Sequence, residues 1–154
     1  MKAVVQRVTN ASVTVDGEVI SEIGKGYLVL LGVGKEDDEQ TCERIVKKLI
    51  GLRIFEDSEG KTNLSLGQVD GSLLIVSQFT LYADTKKGRR PSYVEALNPE
   101  EAKKLYEIFN EKLREKNLTI GLISHLAEMK NRIACKIIVT QASETSGSTV
   151  KIVK

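Results

Sequence analysis

Two alternating runs, Ser12-Val13-Thr14-Val15 and Glu18–Ile23, are separated by Asp16-Gly17 alone. A two-residue hairpin turn fits that spacing, and Asp-Gly suits it because both central residues must take positive φ. The chain therefore opens with antiparallel β-structure. The run before the hairpin, Ala3–Val8, is apolar and β-branched. The run after Gly24-Lys25-Gly26 is Tyr27–Val33, apolar almost throughout. A strand without polar alternation is expected to be buried on both faces.

Helical periodicity follows. Cys42, Ile45, Val46, Leu49 and Ile50 recur at i, i+3, i+4, i+7 and i+8, one apolar stripe. Asp37 with Gln40 forms a capping-box pattern, and Gly51 suits the position after the helix. A second start lies at Asn98-Pro99-Glu100-Glu101, with Asn as cap and Pro at the first helical position. Ala102, Leu105, Tyr106, Phe109 and Leu113 carry its stripe, and Asn117 can close it. The expected helices run over about 37–50 and 99–116.

Between and after them the pattern returns to β. Arg53–Phe55 and Asn63–Leu66 read as short strands around a polar loop, and Leu73–Tyr82 is the longest strand candidate. Ala83–Tyr93 reads as a loop and Arg132–Thr140 as a strand. Gln141–Ser148 is turn-like, and Thr149–Val153 is a short last strand or a tail. No repeat or linker interrupts the 154 residues. The expected fold is one α+β domain over 1–154, with a largely antiparallel twisted sheet or partial barrel and two main helices.

Composition narrows the chemistry. The longest apolar runs fall far short of a membrane span, and Met1–Arg7 lacks the apolar core of a signal peptide, so a cytoplasmic protein without membrane contact is expected. Cys42 and Cys135 are too few for a disulfide framework and read as buried free thiols. His125 is the only histidine, which excludes a multi-histidine zinc site and leaves one imidazole for any Ser-His or Cys-His machinery. Its plain reading is a partly exposed loop or strand residue. Catalysis here has to use hydroxyls, amides, backbone N–H groups or the substrate itself.

The Leu73–Tyr82 run breaks its apolar character at Ser77-Gln78-Phe79-Thr80-Leu81. On a regular strand Gln78 and Thr80 would share a face about 6.6 Å apart, close enough to grip one small polar group. The alternative is a strand leaving the core, its polar residues paired to neighbours. Next comes Lys86-Lys87-Gly88-Arg89-Arg90, four cations in five positions, flanked by Tyr82 and Tyr93. Such a cluster suits phosphate contact, although charge runs are commonly solvated loops. Together the two features suggest a small reactive pocket with a basic rim.

Ser77-Gln78-Phe79-Thr80-Leu81 resembles the signature of the D-aminoacyl-tRNA deacylases. The resemblance extends, in order, through Gln6-Arg7-Val8, Ala11–Gly17, Leu30–Val33, Leu52–Asp57, Asn63-Leu64-Ser65 and Lys87-Gly88-Arg89-Arg90-Pro91-Ser92, covering about residues 1–118. It implies a deacylase-like fold and a cytosolic homodimer. It implies hydrolysis of the ester joining a D-amino acid, or glycine, to tRNA, with release of the free amino acid. The catalytic segment would be Ser77, Gln78, Phe79 and Thr80, with the Phe79 and Thr80 backbone N–H groups binding substrate and developing oxyanion. Arg7, Met129, Val139 and Thr140 would contact substrate, and Lys86, Lys87, Arg89 and Arg90 the RNA. The partner would be the aminoacylated 3′ end of tRNA, not DNA, and no cofactor or metal is required. Thr80 is a natural nucleophile candidate, but no partner base is visible. Assistance from the terminal ribose hydroxyl, with Thr80 and Gln78 positioning water, is the preferred route.

The resemblance fails over 119–154. The family carries Asn-x-Gly-Pro-Val/Phe-Thr near its C-terminus, and its cis Gly–Pro element enters the partner subunit's pocket to reject L-amino acids. Arg7 would brace that element. The ungapped position here reads Cys135-Lys136-Ile137-Ile138-Val139-Thr140, and the only prolines are Pro91 and Pro99. The stretch before Ala127-Glu128-Met129-Lys130 departs as well. Weak activity or relaxed D-over-L discrimination is the consequence expected. A non-catalytic RNA-binding module and a structural dimer that kept the fold are the alternatives.

Overall fold

The Asp16-Gly17 turn forms as its sequence requires, with φ of 49° and 86° at its two residues. It joins β2 (Ala11–Val15) to β3 (Glu18–Ile23), an antiparallel pair. The computed structural model describes residues 1–116, 118–122, 136–140 and 149–153. In chain order the other elements are β1 (Lys2–Val8), β4 (Gly26–Gly32), α1 (Glu39–Gly51), β5 (Phe55–Glu56), β6 (Thr62–Leu64), β7 (Ser72–Ser77), α2 (Pro99–Arg114), β8 (Ile120–Leu122), β9 (Lys136–Thr140) and β10 (Thr149–Val153). Short 3₁₀ turns occupy Gly67–Val69 and Phe79–Tyr82.

The strands form two open four-stranded sheets, β1-β4-β7-β8 and β3-β2-β10-β9, with β5 and β6 as a separate ribbon. The α+β class with two main helices is as expected, but the pairing is more mixed than a largely antiparallel sheet. β1–β4, β2–β3 and β9–β10 are antiparallel, whereas β4–β7, β7–β8 and β2–β10 are parallel. The parallel pairs join strands far apart in sequence, and the long stretches between them contain the helices that make parallel crossovers possible.

β4 and β7 form the middle of the molecule. Tyr27, Val29 and Leu31 of β4 join Leu73 and Ile75 of β7 on one face, where Cys42, Val46 and Leu49 of α1 and Tyr106, Phe109 and Leu113 of α2 cover them. Leu28, Leu74 and Val76 face the other way, against Val8, Ala11, Val13 and Ile23. The period-two alternation of two continuous apolar strands thus feeds two cores. On the helical side Tyr27 stacks on Phe55, with ring centroids 5.1 Å apart, and the Tyr106 hydroxyl donates to the Ile75 carbonyl at 2.8 Å.

Several boundaries differ from the sequence reading. Asp38, not Asp37, caps α1 by accepting from the Thr41 amide at 2.8 Å, and Gly51 lies inside the helix with Leu52 as its C-cap. β7 ends at Ser77, so the strand expected to reach Tyr82 stops five residues early. Its neighbour β4 ends at Gly32, opposite Lys2, and Gln78 makes the final ladder bond, its amide donating to the Leu31 carbonyl at 2.8 Å. Among the described residues no strand pairs with it beyond that point, and the chain turns. The Leu81 amide reaches the Gln78 carbonyl and the Ala83 amide the Thr80 carbonyl. Asn117, His125 and Cys135 lie outside the described residues.

Candidate functional site

The 3₁₀ turn replaces the strand geometry expected of Gln78 and Thr80 with direct contact. The Gln78 side-chain amide donates to the Thr80 hydroxyl oxygen. Ser77 is the last residue of β7, level with Leu31. Neither the Phe79 nor the Thr80 main-chain N–H has an acceptor among the described residues. Adjacent N–H groups left without an acceptor at the start of a tight turn are donors of the kind that can receive an anion. The Phe79 ring is 55% exposed and meets the Tyr93 ring edge-on at 5.1 Å.

That aromatic contact ties the turn to the basic loop. Asp84 and Ser92 close the loop with reciprocal backbone bonds of 2.8 Å, and the Asp84 carboxylate accepts from the Lys86 amide at 2.8 Å. Gly88 takes a φ of 145°, open to glycine and strained for other residues. Lys86, Lys87, Arg89 and Arg90 are all exposed, and none makes an ion pair among the described residues. The loop thus leaves its four cations exposed, and the Phe79–Tyr93 contact links it to the polar turn.

Arg7 is not brought to this cluster. It pairs with Tyr27, at the end of β4 away from Leu31. Its guanidinium donates to Glu56 at 2.9 Å and to the Ile54 carbonyl at 3.1 Å. Val139 and Thr140 belong to β9, an edge of the other sheet. Met129 lies outside the described residues.

Behind the turn is a set of interactions that motif reasoning missed. Asp37 accepts from the Gly34 amide at 2.6 Å and from the Tyr82 hydroxyl at 3.2 Å, and its other oxygen meets the Met1 ammonium. Burial, then the charge of Asp37, pushes the Tyr82 hydroxyl up to about 12. The only hint in the sequence was an acidic pair, Asp37-Asp38, where one carboxylate suffices for a cap.

Residues 4–136 match the D-Tyr-tRNA(Tyr) deacylase family model. The chain belongs to that family. It is 59% identical to the D-aminoacyl-tRNA deacylase of Thermosipho melanesiensis over 115 residues, 75% of this chain and 77% of the relative. It is 55% identical to that of Myxococcus xanthus over 130 residues, 84% and 85% of the two chains. Among solved structures it is similar to the c-Myc DNA Unwinding Element Binding Protein, with a TM-score of 0.72, 45% identity and coverage of 78% of this chain and 83% of that one. A probable eukaryotic D-amino acid tRNA deacylase, 20% identical with a TM-score of 0.60 over 73% of this chain and 66% of that one, shares the fold. The match to the deacylase family includes the whole 77–93 region and ends at Lys136, where β9 begins. Ile137 and Ile138 fall beyond it.

Proposed function

We propose that this deacylase family member hydrolyses the ester joining a D-amino acid to the 3′ end of tRNA, using the 77–80 segment. One observation carries the reading: among the described residues two adjacent main-chain donors, Phe79 and Thr80, have no acceptor, beside a threonine hydroxyl that Gln78 orients. An ester carbonyl seated there would develop its negative charge against both N–H groups, and a donor of this kind typically contributes about 10²–10³ in rate.

Thr80 does not serve as the nucleophile. A threonine hydroxyl needs an adjacent base to attack. Its oxygen instead accepts from Gln78, and no base contacts it among the described residues. Water attacks the ester carbon, and its proton passes by way of the terminal ribose hydroxyl to the departing ribose oxygen. The carbon–oxygen bond to the ribose breaks, freeing the amino acid and the tRNA 3′ end. Gln78 and Thr80 position the water. These steps call on no metal or cofactor. Glycine, lacking a side chain, fits the same route.

The loop cations hold the tRNA backbone, and tRNA rather than DNA is the partner because only an aminoacylated 3′ end carries the ester. Arg7 acts on a second copy of the chain in a homodimer, which accounts for its distance from Thr80 in its own protomer. The cytoplasm is where charged tRNA is met.

Incubation with D-Tyr-tRNA tests the reading. Release of free D-tyrosine and uncharged tRNA is expected. Salt-dependent tRNA binding without turnover would mark a non-catalytic RNA-binding module instead.

A further inference from the structure

The 79–82 turn has little regular structure to hold it. Gln78 ends the ladder, and beyond it the chain is held by short 3₁₀ bonds, with the Leu81–Gln78 and Ala83–Thr80 bonds at the ends of the turn. Yet an oxyanion site must be held to within about 0.5 Å of its productive geometry. The restraint comes from the far end of the turn, through Tyr82.

Tyr82 is gripped on several sides. Its hydroxyl donates to Asp37 at 3.2 Å. Its ring lies close against Gly34: a Cβ there would stand 2.5 Å from the hydroxyl oxygen and 2.6 Å from the ring. Gly32 gives the same close approach to the other end of the turn, where a Cβ would meet the Gln78 carbonyl at 3.0 Å and the Tyr82 ring at 3.2 Å. Lys2 lies 4.5 Å over the ring and donates to the Leu81 carbonyl at 3.1 Å. Asp37 is itself fixed by the Gly34 amide at 2.6 Å and by the Met1 ammonium, with its side chain only 9% exposed.

We infer that Tyr82 and Asp37 form a clamp that fixes the Phe79–Tyr82 turn for hydrolysis, making both of them positioning residues. The inference rests on the deacylase reading only for its kinetic readout. Neither residue touches the substrate. Each acts on the free amides of Phe79 and Thr80 through the backbone between Gln78 and Ala83. Because the clamp orients donors that matter most as charge develops, its loss lowers kcat and leaves KM for tRNA nearly unchanged.

The test combines Tyr82→Phe, Asp37→Asn and the double variant, with hydrogen exchange of the 78–83 segment beside steady-state hydrolysis of D-Tyr-tRNA. Tyr82→Phe keeps the ring against Gly34 and deletes only the bond to Asp37, so the fold is retained. Faster exchange of the segment is expected in each single variant. A fall of about 10-fold in kcat is expected for Tyr82→Phe, within the roughly 10²-fold range of small misplacements. The double variant should fall no further than the worse single, since both remove one interaction. Additive losses, a change confined to KM, or wild-type exchange in Tyr82→Phe would overturn the clamp. If the wild-type chain leaves D-Tyr-tRNA intact, the deacylase reading fails, and the clamp stands or falls on exchange alone.

Discussion

The Gln78 side-chain amide donates to the Thr80 hydroxyl, joining two residues that a regular strand would hold apart. The bond occupies an acceptor position on Thr80 and leaves its O–H free to donate. A threonine held this way can steer a water or a ribose oxygen. Thr80→Ala and Gln78→Ala should each lower the rate of D-Tyr-tRNA hydrolysis by about 10- to 100-fold, the cost of lost orientation. Both side chains lie outside the two cores, so stability should change by no more than about 0.5 kcal/mol. Full turnover in both variants would remove the assignment.

The basic loop makes a separate claim. Replacing Lys86, Lys87, Arg89 and Arg90 by alanine should weaken tRNA binding at low salt. It should also flatten the dependence of log K on log salt by about 0.7–0.9 for each phosphate no longer neutralised. Filter binding at several salt concentrations reads this directly. A slope equal to that of the wild type would make the four cations a solvated surface.

Gly26 faces the Ser72 backbone so closely that a Cβ would lie 1.8 Å from its carbonyl oxygen. No side-chain movement relieves a clash with main chain, and the approach lies at the start of the β4–β7 pair that separates the two cores. Gly26→Ala should cost about 3 kcal/mol, the upper part of the usual overpacking range. For a chain of this size that corresponds to a Tm lower by roughly 6–12 °C. Calorimetry checks it.

Burial, followed by the charge of Asp37, pushes the Cys42 thiol up to about 11. An unfolded thiol titrates near 8.5, so above that pH the unfolded chain has lost a proton that the folded chain still holds. Stability therefore declines as pH rises from about 8.5 toward 11. Cys42→Val should flatten the decline. Titrating chemical unfolding against pH measures both slopes. At about pH 8, below the range where an unfolded thiol fully ionises, native Cys42 should still resist thiol reagents and react once the chain unfolds.

Much of this molecule is legible in its sequence where one periodicity dominates. The Asp16-Gly17 hairpin, the buried strand from Tyr27 and the two striped helices follow from local chemistry, and each formed. Strand neighbours were less legible. That β7 lies parallel to β4, or β10 parallel to β2, depends on which distant segment shares an apolar face. The site shows the same division. Gln78 and Thr80 stand out as polar residues interrupting an apolar run. The turn that joins them does not, because β7 stops where β4 runs out at Gly32, and nothing between Leu73 and Tyr82 records that. Asp37 was similarly hidden: two adjacent aspartates fit a helix cap equally, and the contacts with Gly34, Tyr82 and Met1 decide which one is diverted.

Ile137 and Ile138 lie in β9, level with Ile152 and Lys151 of β10. A ladder strand at that position agrees with the β-branched Ile137-Ile138 pair and is unlike the tight Gly–Pro turn that the resemblance implies for the family. Specificity is a difference between two affinities, and losing a repulsive element shows first on the excluded substrate. The ratio of hydrolysis rates on D-Tyr-tRNA and L-Tyr-tRNA should accordingly be small. Fast D-ester cleavage with strong rejection of the L-ester would assign chiral selection to another part of the chain.

The most direct test of hydrolysis at the 77–80 segment is a single-turnover time course of D-Tyr-tRNA with excess protein, wild type beside Thr80→Ala, following the ester that remains acid-precipitable. The wild type should clear the ester well ahead of spontaneous hydrolysis, and Thr80→Ala should lag by about 10-fold or more. An ester that decays at the spontaneous rate with the wild type, or equally fast with both proteins, would contradict the account.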